Sequence, residues 1–193
     1  PVRVLWFSAS GRPENGLYLE EDRIVISRGG SREVLCRTGE LNLLGTHNYE
    51  NVMTAAGMAL AYGLTPEQIR PVLHSFQAVE HRIEYVTEKN GVQYYNDSKG
   101  TNPDAAIKGI QAMDRPTVLI GGGYDKDSSY EEWIRAFDGK VRLLVLIGQT
   151  REKIAKAADG CGFHAYTFAD SLEEAVQICA REAQPGDAVL LSP

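Results

Sequence analysis

Three short runs in the second half of the chain, TVLI (117–120), LLVLI (143–147) and AVLL (188–191), are apolar without interruption. A strand with one solvated face alternates polar and apolar residues. A strand buried on both faces does not, and burial on both faces is typical of parallel sheets covered by helices. Parallel neighbours also need a crossover of about a dozen residues or more, usually a helix. The segments around these runs fit that need: helices are predicted at 103–113, 129–137, 151–158 and 170–183, with FHAYTF (163–168) as another strand. RIEYVTE and VQYYN flank Asn90-Gly91, the strongest short hairpin signal, and open the alternation.

This pattern predicts a doubly wound, Rossmann-like α/β domain over residues 78–193. Residues 1–77 have another character. Residues 2–8, GLYLE (16–20), RIVIS (23–27) and EVLCR (33–37) are short β-rich pieces parted by polar or glycine turns, which predicts a small antiparallel meander. Val52, Ala55, Ala56, Met58, Ala59 and Tyr62 then recur at helical spacing, giving a helix over about 48–62 with Gly63 as its stop. Thr65, Pro66 and Glu67 start a second helix that runs to about Phe76. The chain begins in strand-like sequence at Pro1 and stops just after AVLLS, before any covering helix, so it reads as a fragment of something longer.

With 193 residues, 43% apolar and 24% charged, the chain has the composition of a soluble globular protein with a sizeable core. No apolar run nears the roughly 18 residues that span a bilayer, and no signal peptide is visible. A net charge of −6 without a Lys/Arg cluster argues against nucleic-acid partners. Cys36, Cys161 and Cys179 are far apart with no Cys-x-x-Cys pair, and His47, His74, His81 and His164 are isolated. A disulfide framework and a zinc cage are both disfavoured, and a reducing cytoplasm fits.

In such sheets ligands bind outside the carboxyl ends of the strands, where NDSKGTN (96–102) and GGGYDKD (121–127) fall. Asn102 is a natural N-cap, Pro103 suits the first helical position and Asp104 the first turn, so part of the first motif is ordinary helix punctuation. As a site, the N–H groups of that turn and the Lys99 cation suit a carboxylate or phosphate, while Asp97 suits ribose hydroxyls, an ammonium group or metal-bound water. The glycine run matches neither a dinucleotide fingerprint nor a phosphate loop. It is a flexible loop with Ser128 or Ser129 capping the next helix, unless Lys126 makes it a site. In GTHNYEN, Asn48 either caps the helix or joins Asn51 in reading a base edge. In EHRIEY, His81 and Arg82 form a junction salt bridge with Glu80 or Glu84, or else Arg82 grips phosphate or ribose from a hinge.

Taken together, GTHNYEN, EHRIEYV, NDSKGTNP, GGGYDKD and the terminal DAVLLSP resemble the Mur ligases in order and spacing. Within that family NDSKGTN resembles the branch that adds D-glutamate to UDP-N-acetylmuramoyl-L-alanine; sister branches typically carry an Asp-Tyr-Ala-His or Asp-Gly-Ala-His type sequence there. The resemblance implies a monomeric enzyme of peptidoglycan precursor synthesis in the bacterial cytoplasm, using ATP and Mg2+, without nucleic-acid or membrane partners. It implies that residues 1–77 end a central ATP-binding domain and that 78–193 form most of an amino-acid-binding domain. Asn48, Asn51, Arg82 and Asp97 would then contact the nucleotide, and Lys99, Thr101, Lys126 and Ser192 the D-glutamate, with His81 and Lys99 taking part in catalysis. The family's phosphate loop, magnesium ligands and carbamylated lysine are expected upstream and its last D-glutamate contact downstream, so this chain alone is expected to be inactive. The alternatives are another Mur-type or polyglutamate-type ligase and a non-catalytic Rossmann-like binding domain; a Rossmann oxidoreductase lacks its glycine fingerprint here.

Overall fold

The computed structural model describes residues 4–124 and 128–193. The chain divides into two compact units, Pro1–Ala78 and Val79–Pro193.

The first unit holds four strands, β1 (Trp6–Ser8), β2 (Gly16–Glu20), β3 (Arg23–Arg28) and β4 (Ser31–Arg37), side by side in chain order. Helices α1 (Thr46–Tyr62) and α2 (Pro66–Ser75) follow. β2, β3 and β4 form the predicted meander, but β1 pairs with β2 in parallel. Residues 2 and 3 of that predicted strand lie outside the described residues. The parallel pairing across the short loop 9–15 depends on Gly16, where a Cβ would lie 1.9 Å from the Trp6 carbonyl oxygen. Leu17, Ile24, Ile26 and Leu35 of the sheet pack with Val52, Met53, Ala56 and Leu60 of α1 and Ile69 of α2.

Helix α1 starts two residues before the predicted boundary. Gly45, at φ 92, holds the N-cap position, and the Asn48 amide lies inside the helix, donating back to the Leu44 carbonyl at 2.7 Å. Asn48 is therefore not the cap. Gly63, at φ 103, stops the helix as predicted, and Thr65 starts α2 in a capping box with Gln68.

The second unit contains β5 (Glu84–Lys89), β6 (Val92–Asn96), α3 (Pro103–Ala112), β7 (Thr117–Gly121), α4 (Glu131–Arg135), β8 (Val141–Leu146), α5 (Arg151–Gly160), β9 (Tyr166–Phe168), α6 (Leu172–Glu182) and β10 (Ala188–Leu191). Its six strands run in the order β5-β6-β10-β7-β8-β9, parallel except for the hairpin partner β5. Asn90 (φ 56) and Gly91 (φ 75) make that hairpin's turn, as their sequence predicts.

The last strand fills a slot left between β6 and β7, so that Val189 faces Tyr94 on one side and Val118 on the other. The connections through α3, α4 and α5 advance across the sheet, and the one through α6 returns. Because such crossovers are right-handed, α3, α4 and α5 cover one face and α6 the other. On the α6 face Val118, Ile120, Val145 and Val189 pack with Ala175, Ile178 and Cys179. The alternate residues Leu119, Leu144 and Leu190, also buried, face the three helices. This is the expected doubly wound, Rossmann-like arrangement.

Helix α4 is shorter than predicted, because Asp138 (φ 42) and Gly139 (φ 74) turn the chain soon after it. Neither Ser128 nor Ser129 caps it. Tyr130 holds that position, and the Ser129 hydroxyl goes to the Glu131 carboxylate instead.

Candidate functional site

The carboxyl ends of β6, β10, β7 and β8 lie side by side, and the chain leaving them encloses a cavity of about 270 Å³. Pro103 and Ala106 of α3, Trp133 of α4, Ile154 of α5 and the terminal Pro193 give it apolar walls. Thr101, Asn102, Ser128, Thr150 and Ser192 supply polar groups, with Tyr124 and Tyr130 beside them.

The predicted cap holds: Asn102 Oδ1 accepts the Ala105 N–H at 2.9 Å, with Pro103 at the first helical position. The positive end of α3 therefore borders the cavity. Thr101 lines it as well, and its N–H donates to the Lys99 carbonyl at 2.9 Å. Lys99 is exposed on the same turn, just outside the cavity lining, and its ammonium makes no ion pair among the described residues. Lys126, the second cation expected here, lies outside the described residues.

The opposite wall is built from two interlocked glycine loops. At Gly122 (φ 104) a Cβ would lie 2.3 Å from the Ile147 oxygen, and at Gly148 (φ 72) one would lie 2.8 Å from Gly123 Cα. Thr150, only 2% exposed, rivets them: its hydroxyl accepts the Gly123 N–H at 2.9 Å. Sequence reasoning passed over Thr150, which signals only its place ahead of a helix, and Trp133, which looks like an ordinary core aromatic. The Trp133 side chain packs where a Gly121 Cβ would be, 2.5 Å from its Cη2, and its buried indole N–H has no hydrogen-bond partner among the described residues.

Two of the expected contacts are turned inward. Asp97 is 5% exposed: its Oδ1 accepts the Ile83 N–H at 3.2 Å and its Oδ2 the Ser192 hydroxyl at 2.9 Å. Burial pushes its carboxyl above the ordinary 3.8, while the Ser192 and Ile83 hydrogen bonds and the Arg82 charge pull it down. Ser192 is itself fully buried; its hydroxyl is committed to Asp97 and its N–H to the Ile120 carbonyl at 3.0 Å.

The His81 ring lies with Nδ1 2.9 Å from the Asn96 amide nitrogen. Because Asn96 Oδ1 accepts the Ser98 N–H, the amide nitrogen is left to donate to the ring. Glu84 stands 3.7 Å from Nδ1 and accepts the His81 backbone N–H at 2.9 Å. The Arg82 guanidinium is exposed and makes no ion pair among the described residues, so what ties the junction to Glu84 is the His81 backbone N–H rather than a salt bridge of Arg82. In the first unit Asn51 is exposed on α1, with its amide uncommitted among the described residues.

Among the described residues no group of three or more His, Cys, Asp or Glu could hold a metal ion, and no helix is long and apolar enough to cross a membrane.

A doubly wound parallel sheet with a cavity at its strand carboxyl ends is an α/β domain of the class that takes ligands at that edge. Residues 81–193 match the family model described as Mur ligase, glutamate ligase domain, and this chain belongs to that family. Among curated relatives, UDP-N-acetylmuramoylalanine--D-glutamate ligase of Lachnoclostridium phytofermentans is 55% identical over 193 residues, covering 100% of this chain and 42% of that protein. The ligase of the same name from Thermoanaerobacter sp. (strain X514) is 48% identical, covering 99% and 42%. The chain thus spans less than half the length of the relatives it matches.

Among solved structures, UDP-N-acetylmuramate-alanine ligase MurC from Thermotoga maritima superposes with a TM-score of 0.70 at 14% identity, over 96% of this chain and 43% of that one. Folylpolyglutamate synthase of Mycobacterium tuberculosis, complexed with ADP, gives 0.63 at 17% identity over 88% and 42%. At such identities these likenesses establish the fold.

Proposed function

We propose that this chain is the part of an ATP-dependent amide ligase that receives D-glutamate in its second unit and supplies nucleotide contacts from its first. Residues 1–77 then close a central ATP-binding domain, and 78–193 form the amino-acid-binding domain. The observation that carries the reading is the cavity at the ends of β6, β7, β8 and β10, bordered by the positive end of α3 and Thr101, with the exposed Lys99 ammonium on the same turn.

D-Glutamate brings two carboxylates and an amine. The α3 N-terminus with the Thr101 hydroxyl suits one carboxylate, and Lys99 with Lys126 suits the other. Ser192 shapes the cavity through its backbone, because its hydroxyl is engaged elsewhere. His81 supports the turn: its carbonyl accepts the Lys99 N–H at 3.0 Å while its ring stays on Asn96. Asn51 offers an exposed amide to a base edge, Arg82 an exposed guanidinium to phosphate or ribose, and Asn48 braces the start of α1.

ATP makes the carboxylate of UDP-N-acetylmuramoyl-L-alanine reactive by converting it to an acyl phosphate. The amine of D-glutamate attacks the acyl carbon, a C–N bond forms, phosphate departs with the electron pair of the broken C–O bond, and the proton lost by the amine nitrogen goes to solvent or to the departing phosphate. What this chain contributes is placement of the amine and cationic compensation of the two carboxylates. The reading takes magnesium's ligands and the triphosphate cradle from elsewhere in the ligase, since among the described residues no group of three or more His, Cys, Asp or Glu could hold a metal ion. The setting is the bacterial cytoplasm and the working form a monomer.

Calorimetric titration with D-glutamate, L-glutamate and meso-diaminopimelate tests the reading. It predicts binding selective for D-glutamate, weakened about tenfold or more by Lys99→Ala, as the loss of a charged hydrogen bond requires. Preference for meso-diaminopimelate would overturn the amino acid, and binding indifferent to Lys99 would overturn the site.

A further inference from the structure

Residues 79–83 open the second unit with a turn in which the Arg82 N–H donates to the Val79 carbonyl at 3.0 Å. Two non-glycine residues there have left-handed backbone, His81 at φ 67 and Ile83 at φ 46. For isoleucine this is an outlier, because its branched Cβ crowds the backbone in that region, and such a conformation persists only where its surroundings over-determine it.

Here they do. The Ile83 side chain is buried and its N–H is held by Asp97 Oδ1. The His81 carbonyl accepts the Lys99 N–H, and the His81 N–H is taken by Glu84. Asp97 in turn is fixed from behind, its own N–H donating to the Leu191 carbonyl at 2.7 Å and its Oδ2 accepting from Ser192. One carboxylate thus joins the start of the unit, the β6–α3 turn and the end of β10. Two glycines make room for it: a Cβ at Gly100 would lie 2.5 Å, and one at Gly109 2.9 Å, from Asp97 Oδ2. Arg82 lies between the two left-handed residues, so this fastening sets the direction in which its side chain leaves the backbone.

We propose that Asp97 is a positioning residue whose inward carboxylate, acting on the Ile83 N–H and the Ser192 hydroxyl, holds His81 and Ile83 in left-handed backbone and so aims Arg82 and the Lys99 turn at their ligand. The identity of that ligand rests on the function proposed above, and the fastening does not. Asparagine at 97 keeps an acceptor for the Ile83 N–H, and its amide donates to a rotated Ser192 hydroxyl; alanine removes both bonds.

The test is amide hydrogen exchange and 15N relaxation on the 193-residue chain, comparing the parent with Asp97→Asn, Asp97→Ala and Ser192→Ala. The Ile83 amide is expected to be protected in the parent and to stay within about threefold of that rate in Asp97→Asn. In Asp97→Ala it is expected to exchange at least about tenfold faster, with lower order at Arg82 and unchanged protection at Leu119 and Leu144 in the core strands. An unmoved Ile83 and Arg82 in Asp97→Ala would overturn the proposal. So would equal loosening in Asp97→Asn, which would make the charge itself the requirement. Should Asp97→Ala also lose protection at Leu119 and Leu144, Ser192→Ala decides: it must loosen 81–83 over an intact core, and an ordered Arg82 there overturns the proposal. None of these readouts needs ligand or activity, so a failed D-glutamate titration and a failed fastening are told apart.

Discussion

Taking a carboxylate out of water is unfavourable unless donors replace the lost solvent. Asp97 has two, the Ile83 N–H and the Ser192 hydroxyl, and the nearby Arg82 charge adds to them, yet burial still prevails and raises its pKa. The sign of the consequence is fixed. A raised folded-state pKa means that the native chain keeps this proton after the unfolded chain has released it, so Asp97 removes stability as pH climbs from its ordinary 3.8 through the folded value. Asparagine has no such proton. The stability of Asp97→Asn relative to the parent should therefore rise between about pH 3 and about pH 7, measured by denaturant titration at each; an equal difference at both, or a fall, contradicts it. The sequence motif displays the charged residues of 96–102, but not which of them turns inward. Gly109 was the available hint, since a glycine inside a helix costs about 1 kcal/mol against alanine and is worth keeping where something needs its space. Here that something is Asp97 Oδ2.

Elements were most legible where local chemistry decides them. Asn90-Gly91, Gly63, Thr65 and Asn102-Pro103 each do what their side chain or backbone freedom dictates. They were least legible where distant packing decides. The parallel pairing of β1 turns on how closely Gly16 approaches Trp6, and the start of α1 on Gly45 rather than the more conspicuous Asn48. At α3 the cap is also part of the cavity wall, so its strength can be measured directly. Asn102→Ala is expected to lower the stability of the second unit by about 1 kcal/mol, the usual loss for an N-cap. Trp133 fluorescence during urea unfolding, in a Trp6→Phe background, would report it. An unchanged midpoint would show that Pro103 and the packing of α3 suffice without the cap.

Across the whole molecule, alternation of apolar runs and helices was enough to predict a parallel, doubly wound sheet, because double-sided burial leaves a compositional mark on each strand. Strand order leaves none. Nothing in AVLL says that it enters between β6 and β7, yet that insertion brings Ser192 to Asp97 and Pro193 to the cavity. The same insertion places the turn that leads into α3 beside two glycine loops, which is what makes the strand ends a pocket rather than three separate loops. The most direct test is a 1H–15N spectrum of the chain titrated with D-glutamate. The shifts are predicted to gather at Thr101, Ala105, Gly123, Thr150 and the Trp133 indole N–H, leaving Asn51 unmoved. Shifts gathered away from the carboxyl ends of β6, β7, β8 and β10, or a spectrum that ignores D-glutamate, would contradict it.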